Sequence, residues 1–453
     1  MLPPLKADND RMTSPLALII NPWIYDFAAF DLWARPLGAL YLAAWLRTAG
    51  WEVRLVDCLD RLHPDSMAPA AKKRWTPGTG QWRREVLPTP SPLAGLPRRY
   101  ARYGLPIPAF NRLVQAPPAP DVVLVTSSMT YWYPGVRRAV TQVRQAWPEV
   151  PVVLGGAYAT LCPDHARRVS GADVVVQGPG ESALPRVLAE LTGIDPGPPP
   201  AWTSLRPALD LYPRLEFAPL LTSRGCPYHC PYCASNRLYP GFTPRDPDDV
   251  LDEIEDRAVR LGLSHFTFFD DALLVDAHRR LVPILETVIR RFPGLSFHAP
   301  NGLHLGLIDR DMAELMRAAG FKTLRLGLET LDMERQAAMG GKVGPGQFET
   351  ALAHLKAAGF DPARIGVYIL CGLPGQDWGE PLAAARAVRA LGARPFLAEY
   401  APLPGTPLWQ ETLRHSEFDL AAEPLYHNNS FFACRGKNFS WEKVREIKRA
   451  ALA

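Results

Sequence analysis

Several features that would take a chain out of the ordinary globular class are missing here. No apolar run approaches the ~20 residues of a membrane-spanning helix, so no membrane association is expected. Residues 1–14 are polar, contain proline and hold no apolar core, so no secretory leader is expected there. Net charge is only +4, too small to imply a nucleic-acid partner by itself. Cysteine is scarce, seven in 453 residues, and three of the seven are clustered. That fits a reducing cytoplasm better than a disulfide framework. Proline, at 47 residues, is the one clear excess and suggests long irregular connections. The remainder, 47% apolar and 21% charged, is an ordinary globular composition. The length suits two or three domains of about 150 residues each.

Those three cysteines, Cys226, Cys230 and Cys233, fall within eight residues. They sit in Thr222-Ser223-Arg224-Gly225-Cys226-Pro227-Tyr228-His229-Cys230-Pro231-Tyr232-Cys233, spaced Cys-x3-Cys-x2-Cys. A closed structural zinc site wants four ligands. Three thiolates on one short loop suit a cubane iron–sulfur cluster with one iron left free of protein ligands. The spacing, with its Pro, Tyr and Gly neighbours, resembles the signature loop of the radical S-adenosylmethionine (SAM) enzymes. The resemblance implies a [4Fe-4S] cluster on Cys226, Cys230 and Cys233 as the catalytic centre. Its open iron would chelate SAM, and an electron would cleave SAM to methionine and a 5′-deoxyadenosyl radical.

Ahead of this loop, residues 15–195 read as a Rossmann-like, flavodoxin-like α/β domain. Leu16–Asn21 is a continuous apolar run, as expected of a strand buried on both faces. A helix from Pro36 to Thr48 and a strand from Trp51 to Asp57 complete a β-α-β opening. The sheet resumes at Asp121–Ser128, Val152–Gly156 and Ala172–Gly178, with helices expected at 134–147 and 182–191. An insertion, 61–120, interrupts it with little periodicity. There Lys72, Lys73, Arg74, Arg83, Arg84, Arg98, Arg99 and Arg102 stand among Trp75, Trp82, Tyr100 and Tyr103. It reads as a solvated insertion, although basic residues interleaved with aromatics could touch RNA or a phosphorylated ligand.

The domain resembles the cobalamin-binding domain that often precedes a radical SAM domain. The resemblance is carried by Ser127-Ser128, by Gly155-Gly156-Ala157-Tyr158 and by Gly178-Pro179-Gly180-Glu181. It implies corrin contacts from Ser127, Ser128, Tyr131, Gly155, Gly156, Tyr158, Gly178, Gly180 and Glu181. The Asp-x-His-x-x-Gly motif that supplies a lower cobalt ligand in many such proteins is absent: Asn21 to Phe30 contains no His. Cobalamin, if bound, is expected without that ligand, its lower face covered by groups such as Tyr131, Trp132 and Tyr133.

Residues 196–410 read as a partial (β/α)6 barrel of the TIM type. A first strand, 218–223, runs into the cysteine loop, and five more are expected at 264–269, 295–299, 323–328, 364–370 and 395–400. The cysteines would then sit at the carboxyl end of the first strand, where α/β barrels put their chemistry. The radical SAM resemblance covers 215 to 410 and implies SAM contacts from Tyr232, Asp270, Asp271, Arg325, Glu329 and Gly372. Alternation puts Arg325, Gly327 and Glu329 on one face of the fourth strand. Arg325 could pair with the SAM carboxylate, or with Glu329 in an internal pair. His298 and Asn301 could face SAM or substrate. Cys371 reads as a buried thiol, and His165 and His265 as lone histidines. Residues 411–453 form an extension whose His427–Phe432 stretch and Trp441 could line the substrate end.

The expected activity is methyl transfer to an unactivated carbon, one SAM donating the methyl through cobalamin and another generating the radical. Rearrangement, cyclisation or coupling without methyl transfer is the alternative, and a non-catalytic cobalamin or SAM sensor is the rival of another class. The substrate, small molecule or peptide, is not specified by the sequence. An electron donor such as flavodoxin or ferredoxin would be required.

Overall fold

The computed structural model describes residues 14–66 and 76–452. Lys72, Lys73, Arg74 and Trp75 of the insertion, and residues 1–13 of the tail, lie outside the described residues. The chain divides into two compact units, one through Leu215 and one from Glu216.

In the first unit, five parallel strands form one sheet: β1 (Leu16–Asn21), β2 (Glu52–Asp57), β3 (Val122–Val125), β4 (Val152–Leu154) and β5 (Val174–Val175). The order is β5-β4-β3-β1-β2, the flavodoxin-like 2-1-3-4-5 arrangement. Every residue of β1, β3 and β4 is buried, as a sheet covered on both faces requires. Helices α1 (Leu37–Thr48), α2 (Tyr133–Ala146) and α3 (Gly180–Thr192) supply crossovers and cover.

Two expectations change here. The unit ends later than 195, because the stretch after α3 carries apolar residues that pack back on it: Leu205, Ala208, Leu209 and Tyr212 are buried. Ala208 N donates to Leu40 O at 3.1 Å, and the Tyr212 hydroxyl donates to Asp57 Oδ2 at 2.6 Å. The 61–120 insertion is also more ordered than its composition implied. Short strands at Arg84–Val86 and Ala101–Tyr103 pair antiparallel, and Ile24–Asp26 adds to the second of them. Thr79–Gln81 pairs with Phe30–Leu32. Strands of three residues are too short to show alternation. Trp82, Tyr100 and Tyr103 are buried in this layer, so their rings serve as core.

The second unit holds a six-stranded parallel sheet. Its strands are β6 (Ala218–Leu220), β9 (His265–Phe268), β10 (Ser296–Leu303), β11 (Phe321–Glu329), β12 (Ile365–Cys371) and β13 (Arg394–Glu399). They run in sequence order with β6 and β13 at the edges, which makes a partial barrel. Two further strands, β7 (Ser223–Gly225) and β8 (Phe242–Pro244), form a separate antiparallel pair. Helices α4 (Pro247–Val259), α5 (Ala277–Arg291), α6 (Arg310–Ala318), α7 (Gln347–Ala357) and α8 (Gly379–Ala390) alternate with the strands. Asp246 and Asp309 cap α4 and α6, accepting from Asp248 N and Met312 N, which satisfies amides that a helix start leaves open.

The last helix, α9 (Trp441–Leu452), lies against β13 and α8. Between them Cys371, Trp378, Phe432, Val444 and Ile447 form one apolar cluster, so Cys371 is a buried thiol. The tail residues expected to line the substrate end are turned inward instead. His427 and Asn428 are buried and bonded within their own turns, to Leu420 O and from Ser430 N. Trp441 packs edge-on to Phe439. Among the described residues no helix is long and apolar enough to cross a membrane.

Candidate active site

The cysteine loop is built as a hairpin. The first barrel strand stops at Leu220, and Ser223, Arg224 and Gly225 pair with Pro244, Thr243 and Phe242 instead. That ladder closes the base of loop 226–241. Gly225 has φ +78°, and a Cβ there would stand 2.1 Å from Gly241 O, so the closure requires glycine. Inside the loop, Cys233 N donates to Cys230 O at 3.0 Å and Ser235 N to Cys233 Sγ at 3.4 Å. Asn236 Nδ2 donates to Tyr228 O at 2.7 Å. Leu408 N, from beyond β13, donates to Pro231 O at 2.9 Å.

Cys230 is buried, Cys226 half-buried and Cys233 exposed, and all three thiols are free. Burial raises the pKa of Cys226. Among the described residues no three His, Cys, Asp or Glu side chains converge as ligands of one ion. A cluster demands less convergence, because each thiolate takes its own iron. Three thiols on one pinned loop, without a fourth, fit that donor set.

Three side chains from outside the loop meet it: Glu329 and Asp271 from strand ends and Lys342 from the connection after Ala338. Glu329 closes β11 at φ +67°, in the left-handed region that few non-glycine residues enter. Its carboxylate accepts from the Tyr232 hydroxyl and lies 3.7 Å from Lys342 Nζ. Burial lifts the Glu329 pKa, with Lys342 and Tyr232 pulling the other way. Burial, then Glu329, pushes the Tyr232 hydroxyl up. For Lys342, burial is outweighed by Glu329 and by the Cys230 thiol to which it donates, and its pKa is raised. Asp271 accepts from the Ser235 hydroxyl of the loop, and burial raises its pKa.

Lys342 was not legible from the sequence. It follows Gly340 and Gly341 in the connection after the short helix Met333–Ala338. Gly340 has φ +107°, and a Cβ there would lie 3.5 Å from Cys230 Cα and 3.6 Å from its sulfur. The only signal was a double glycine before a lone lysine.

The other expected contacts divide. Asp270 is fully engaged at the end of β6: its carboxylate accepts from Thr222 N at 3.0 Å, Thr222 Oγ1 at 2.7 Å and Ser223 Oγ at 2.7 Å. It therefore holds the hairpin base, and Asp271 is the member of the pair that meets the loop. Gly372, at φ +86°, donates its N–H to Gln376 Oε1 at 2.8 Å and closes the Gly-Leu-Pro-Gly-Gln turn. Asn301 clamps the end of β9 through Phe269 O and Asp270 O, both at 3.1 Å. His298 is fully buried, 3.0 Å from both His265 Nδ1 and Thr323 Oγ1, so neither histidine stands alone. Arg325 contacts Leu324 O, the Tyr368 hydroxyl and the Phe396 ring. The structure brings it neither to the cysteine loop nor to Glu329.

In the first unit, three loops follow β3, β4 and β5 at the carboxyl edge of the sheet, where open α/β sheets bind ligands. Ser127 is buried and consumed within them: its hydroxyl donates to Gly155 O at 2.6 Å, and Ala157 N donates to Ser127 O at 2.8 Å. Gly156, at φ +93°, allows that contact, since a Cβ would meet Ser127 O at 2.2 Å. Gly155 and Gly178 have nothing within 4 Å of a built Cβ, so backbone faces open space at both turns. Ser128 is exposed, and Glu181 lies in the first turn of α3. Tyr158 is fully buried and bonded to His165 Nδ1 at 2.7 Å. Tyr131 is buried too. A flat ligand fits the open backbone of these turns. Tyr158 and Ser127 hold the turns from beneath.

Comparison with known proteins bears on the use of this site. The radical SAM superfamily matches residues 220–388, and the B12-binding domain family matches 108–188. The chain carries a radical SAM domain with a B12-binding domain ahead of it. The first match runs from the end of β6 through α8, and the second contains β3, β4, β5 and their three loops. The chain is 23% identical to an uncharacterized methyltransferase of Pyrococcus horikoshii, over 66% of this chain and 70% of that one. It is 26% identical to a hopanoid C-2 methylase of Rhodopseudomonas palustris, over 42% of this chain and only 39% of that one. Its fold is that of the radical SAM methyltransferase TsrM from Kitasatospora setae, solved with cobalamin and a [4Fe-4S] cluster. The TM-score is 0.66 at 17% identity, covering 97% of this chain and 91% of that one.

Proposed function

We propose that this radical SAM enzyme is a cobalamin-dependent methyltransferase that adds a methyl group to an unactivated carbon. The observation that carries the reading is the union in one chain of a three-cysteine loop faced by Glu329, Lys342 and Asp271 with a B12-binding sheet whose strand-end glycines leave backbone open. Relatives bearing methyltransferase names support it.

Cys226, Cys230 and Cys233 would hold the cluster. When bound, the cluster supplies the electron for SAM cleavage and the corrin supplies a methyl carrier; both chemistries belong to the cofactors. The chain binds and orients. Lys342 places positive charge beside the Cys230 and Cys226 sulfurs. Glu329 offers a carboxylate, already oriented by Tyr232, to hydroxyl or ammonium groups of SAM, and Asp271 offers a second from β9. The Gly372 turn positions backbone at the end of β12. On the corrin side residues 21–30 contain no His, so a bound corrin would take no ligand from the stretch after β1, and the loop from Ser128 to Trp132 would be the segment left to lie against it. The reaction needs a low-potential donor such as flavodoxin or ferredoxin and an oxygen-poor, reducing compartment.

The test is anaerobic reconstitution with iron, sulfide and cobalamin, followed by turnover with SAM and a strong reductant. S-adenosylhomocysteine and 5′-deoxyadenosine are both expected, with retained corrin absorbance. Deoxyadenosine without S-adenosylhomocysteine would instead support a ring-forming or coupling reaction, the alternative to which the similarity to an anaerobic magnesium-protoporphyrin IX monomethyl ester cyclase of Rubrivivax gelatinosus points.

A further inference from the structure

Arg325 is a half-buried guanidinium with no carboxylate beside it among the described residues. It projects from the middle of β11 on the same face as Gly327 and Glu329, and its partners are all neutral: Leu324 O at 3.1 Å, the Tyr368 hydroxyl and the ring of Phe396, whose centroid is 4.2 Å from Cζ. The next strands make the anomaly sharper. Arg325 pairs in register with Gly366 on β12, and Gly366 with Arg394 on β13. Arg394 lies over the same Phe396 ring, its Cζ 5.1 Å from the centroid. Two cations thus lie against one aromatic ring. Among the described residues neither has an acidic partner. Like charges repel, and Arg325, the half-buried member of the pair, lacks the counter-ion that would offset its desolvation, while Arg394 is exposed.

The sequence makes room for this arrangement. A Cβ at position 366 would lie 2.5 Å from Arg325 Cδ and 2.7 Å from its Nη1. A glycine in mid-strand weakens a sheet and marks a close approach, and here the approaching group is the guanidinium. Tyr368 fixes that group further, because its hydroxyl donates to Pro300 O at 2.8 Å and so turns a lone pair to Arg325. One step down the same face of β11, Thr323 bonds to His298, which burial, with His265 and Lys322 adding, pushes down to about 3. The neighbouring group is therefore neutral and offers no negative charge.

SAM's own carboxylate is a poor candidate for the missing anion. Arg325 stands four residues before Glu329, about 13 Å along the strand, whereas Glu329 is the residue that meets the cysteine loop. We propose that Arg325 and Arg394 form an oxyanion subsite on the inner face of the barrel, taking a carboxylate or phosphate group of the substrate, with Tyr368 and Phe396 holding the forks in place. The substrate of this enzyme is then an anion anchored away from the carbon that reacts. This rests on the radical SAM reading for the location of SAM, and its test does not depend on turnover.

The test is calorimetric titration of the full chain, cluster reconstituted, with inorganic phosphate and separately with acetate, at constant ionic strength, with and without saturating SAM. Saturable binding of at least one anion that persists when SAM is bound is expected. Arg325→Met and Arg394→Met should each weaken it by about tenfold or more, and Arg364→Met, an exposed arginine paired to Asp361, should not. Arg394 begins its strand at the surface, so its replacement leaves the fold intact even if Arg325→Met does not. Binding of neither anion, or equal loss in Arg364→Met, overturns the subsite. So does displacement of the anion by SAM together with weaker SAM binding in Arg325→Met, which would return Arg325 to the cofactor. A protein that binds phosphate in this way yet makes no S-adenosylhomocysteine would retain the subsite and lose only the methyl-transfer reading.

Discussion

Replacing Lys342 by Met should uncover the charge it balances. Lys342 Nζ lies 3.7 Å from Glu329 Oε1, and the two side chains are only 21% and 11% exposed. At that separation the attraction is about 4.5 kcal/mol for an effective dielectric near 20. Both ions lose hydration when buried, so the pair's net worth is smaller, but removing one partner strands the other, which costs ~3–5 kcal/mol in buried pairs. Lys342→Met should therefore destabilise the cluster-free chain by about 3 kcal/mol, read as a lower urea midpoint. The double variant Lys342→Met/Glu329→Gln should recover most of that loss. A pH signature follows from burial holding Glu329 above the ordinary carboxylate range. Without the lysine its pKa rises further, so the folded state binds the proton more tightly than the unfolded state. The loss should shrink toward acid pH, where Glu329 is neutral, and grow as pH rises through the folded pKa. Additive losses in the double variant, or a pH-independent single variant, would refute the reasoning.

Gly156→Ala would push a Cβ to 2.2 Å from Ser127 O at φ +93°; the β3 and β4 loops must separate, and retained cobalamin should drop severalfold while iron content holds. Gly225→Ala meets Gly241 O at 2.1 Å and should open the hairpin base, lowering iron per chain and leaving cobalamin retention alone. His298, held at about 3 against about 6.5 unfolded, takes its proton only when the chain unfolds. Stability should fall by ~1.4 kcal/mol per pH unit from this residue as pH drops from about 6.5 toward 3. His298→Asn should flatten that slope by one proton in acid-denaturation curves. Asp270→Asn replaces an acceptor of four bonds and should cost ~2 kcal/mol with SAM affinity lost only through the loop.

Much of this was legible in the sequence because the signals were local. Buried parallel strands such as Leu16–Asn21 are continuous apolar runs, and the cysteine spacing lies within one loop. Helix starts at Asp246 and Asp309 carry their caps beside them. Pairings across long separations were not legible. Whether Glu329 meets Arg325 or Lys342 depends on the course of the connection after Ala338, and nothing in Gly340-Gly341-Lys342 announces which strand it will cross. Adjacent aspartates posed the same difficulty: Asp270 and Asp271 differ only in which way a strand end turns. The insertion hid its order because three-residue strands leave no period. The segment after α3 reads from sequence as the start of the second domain, because Leu205, Leu209 and Tyr212 are too widely spaced to announce which core they join.

The ladder beneath the cysteine loop bears on how such an enzyme survives air. The loop's two ends are tied by backbone hydrogen bonds of Ser223–Gly225 to Phe242–Pro244, and the Asp270 carboxylate holds the incoming end through Thr222 and Ser223; none of these bonds involves iron. Because those ties do not depend on the metal, the loop is expected to stay closed, with its three sulfurs together, when iron is lost. Damage by oxygen is then a loss of inorganic parts rather than of the fold. A chain whose thiols are reduced again can be refilled with iron and sulfide where it stands, without first unfolding.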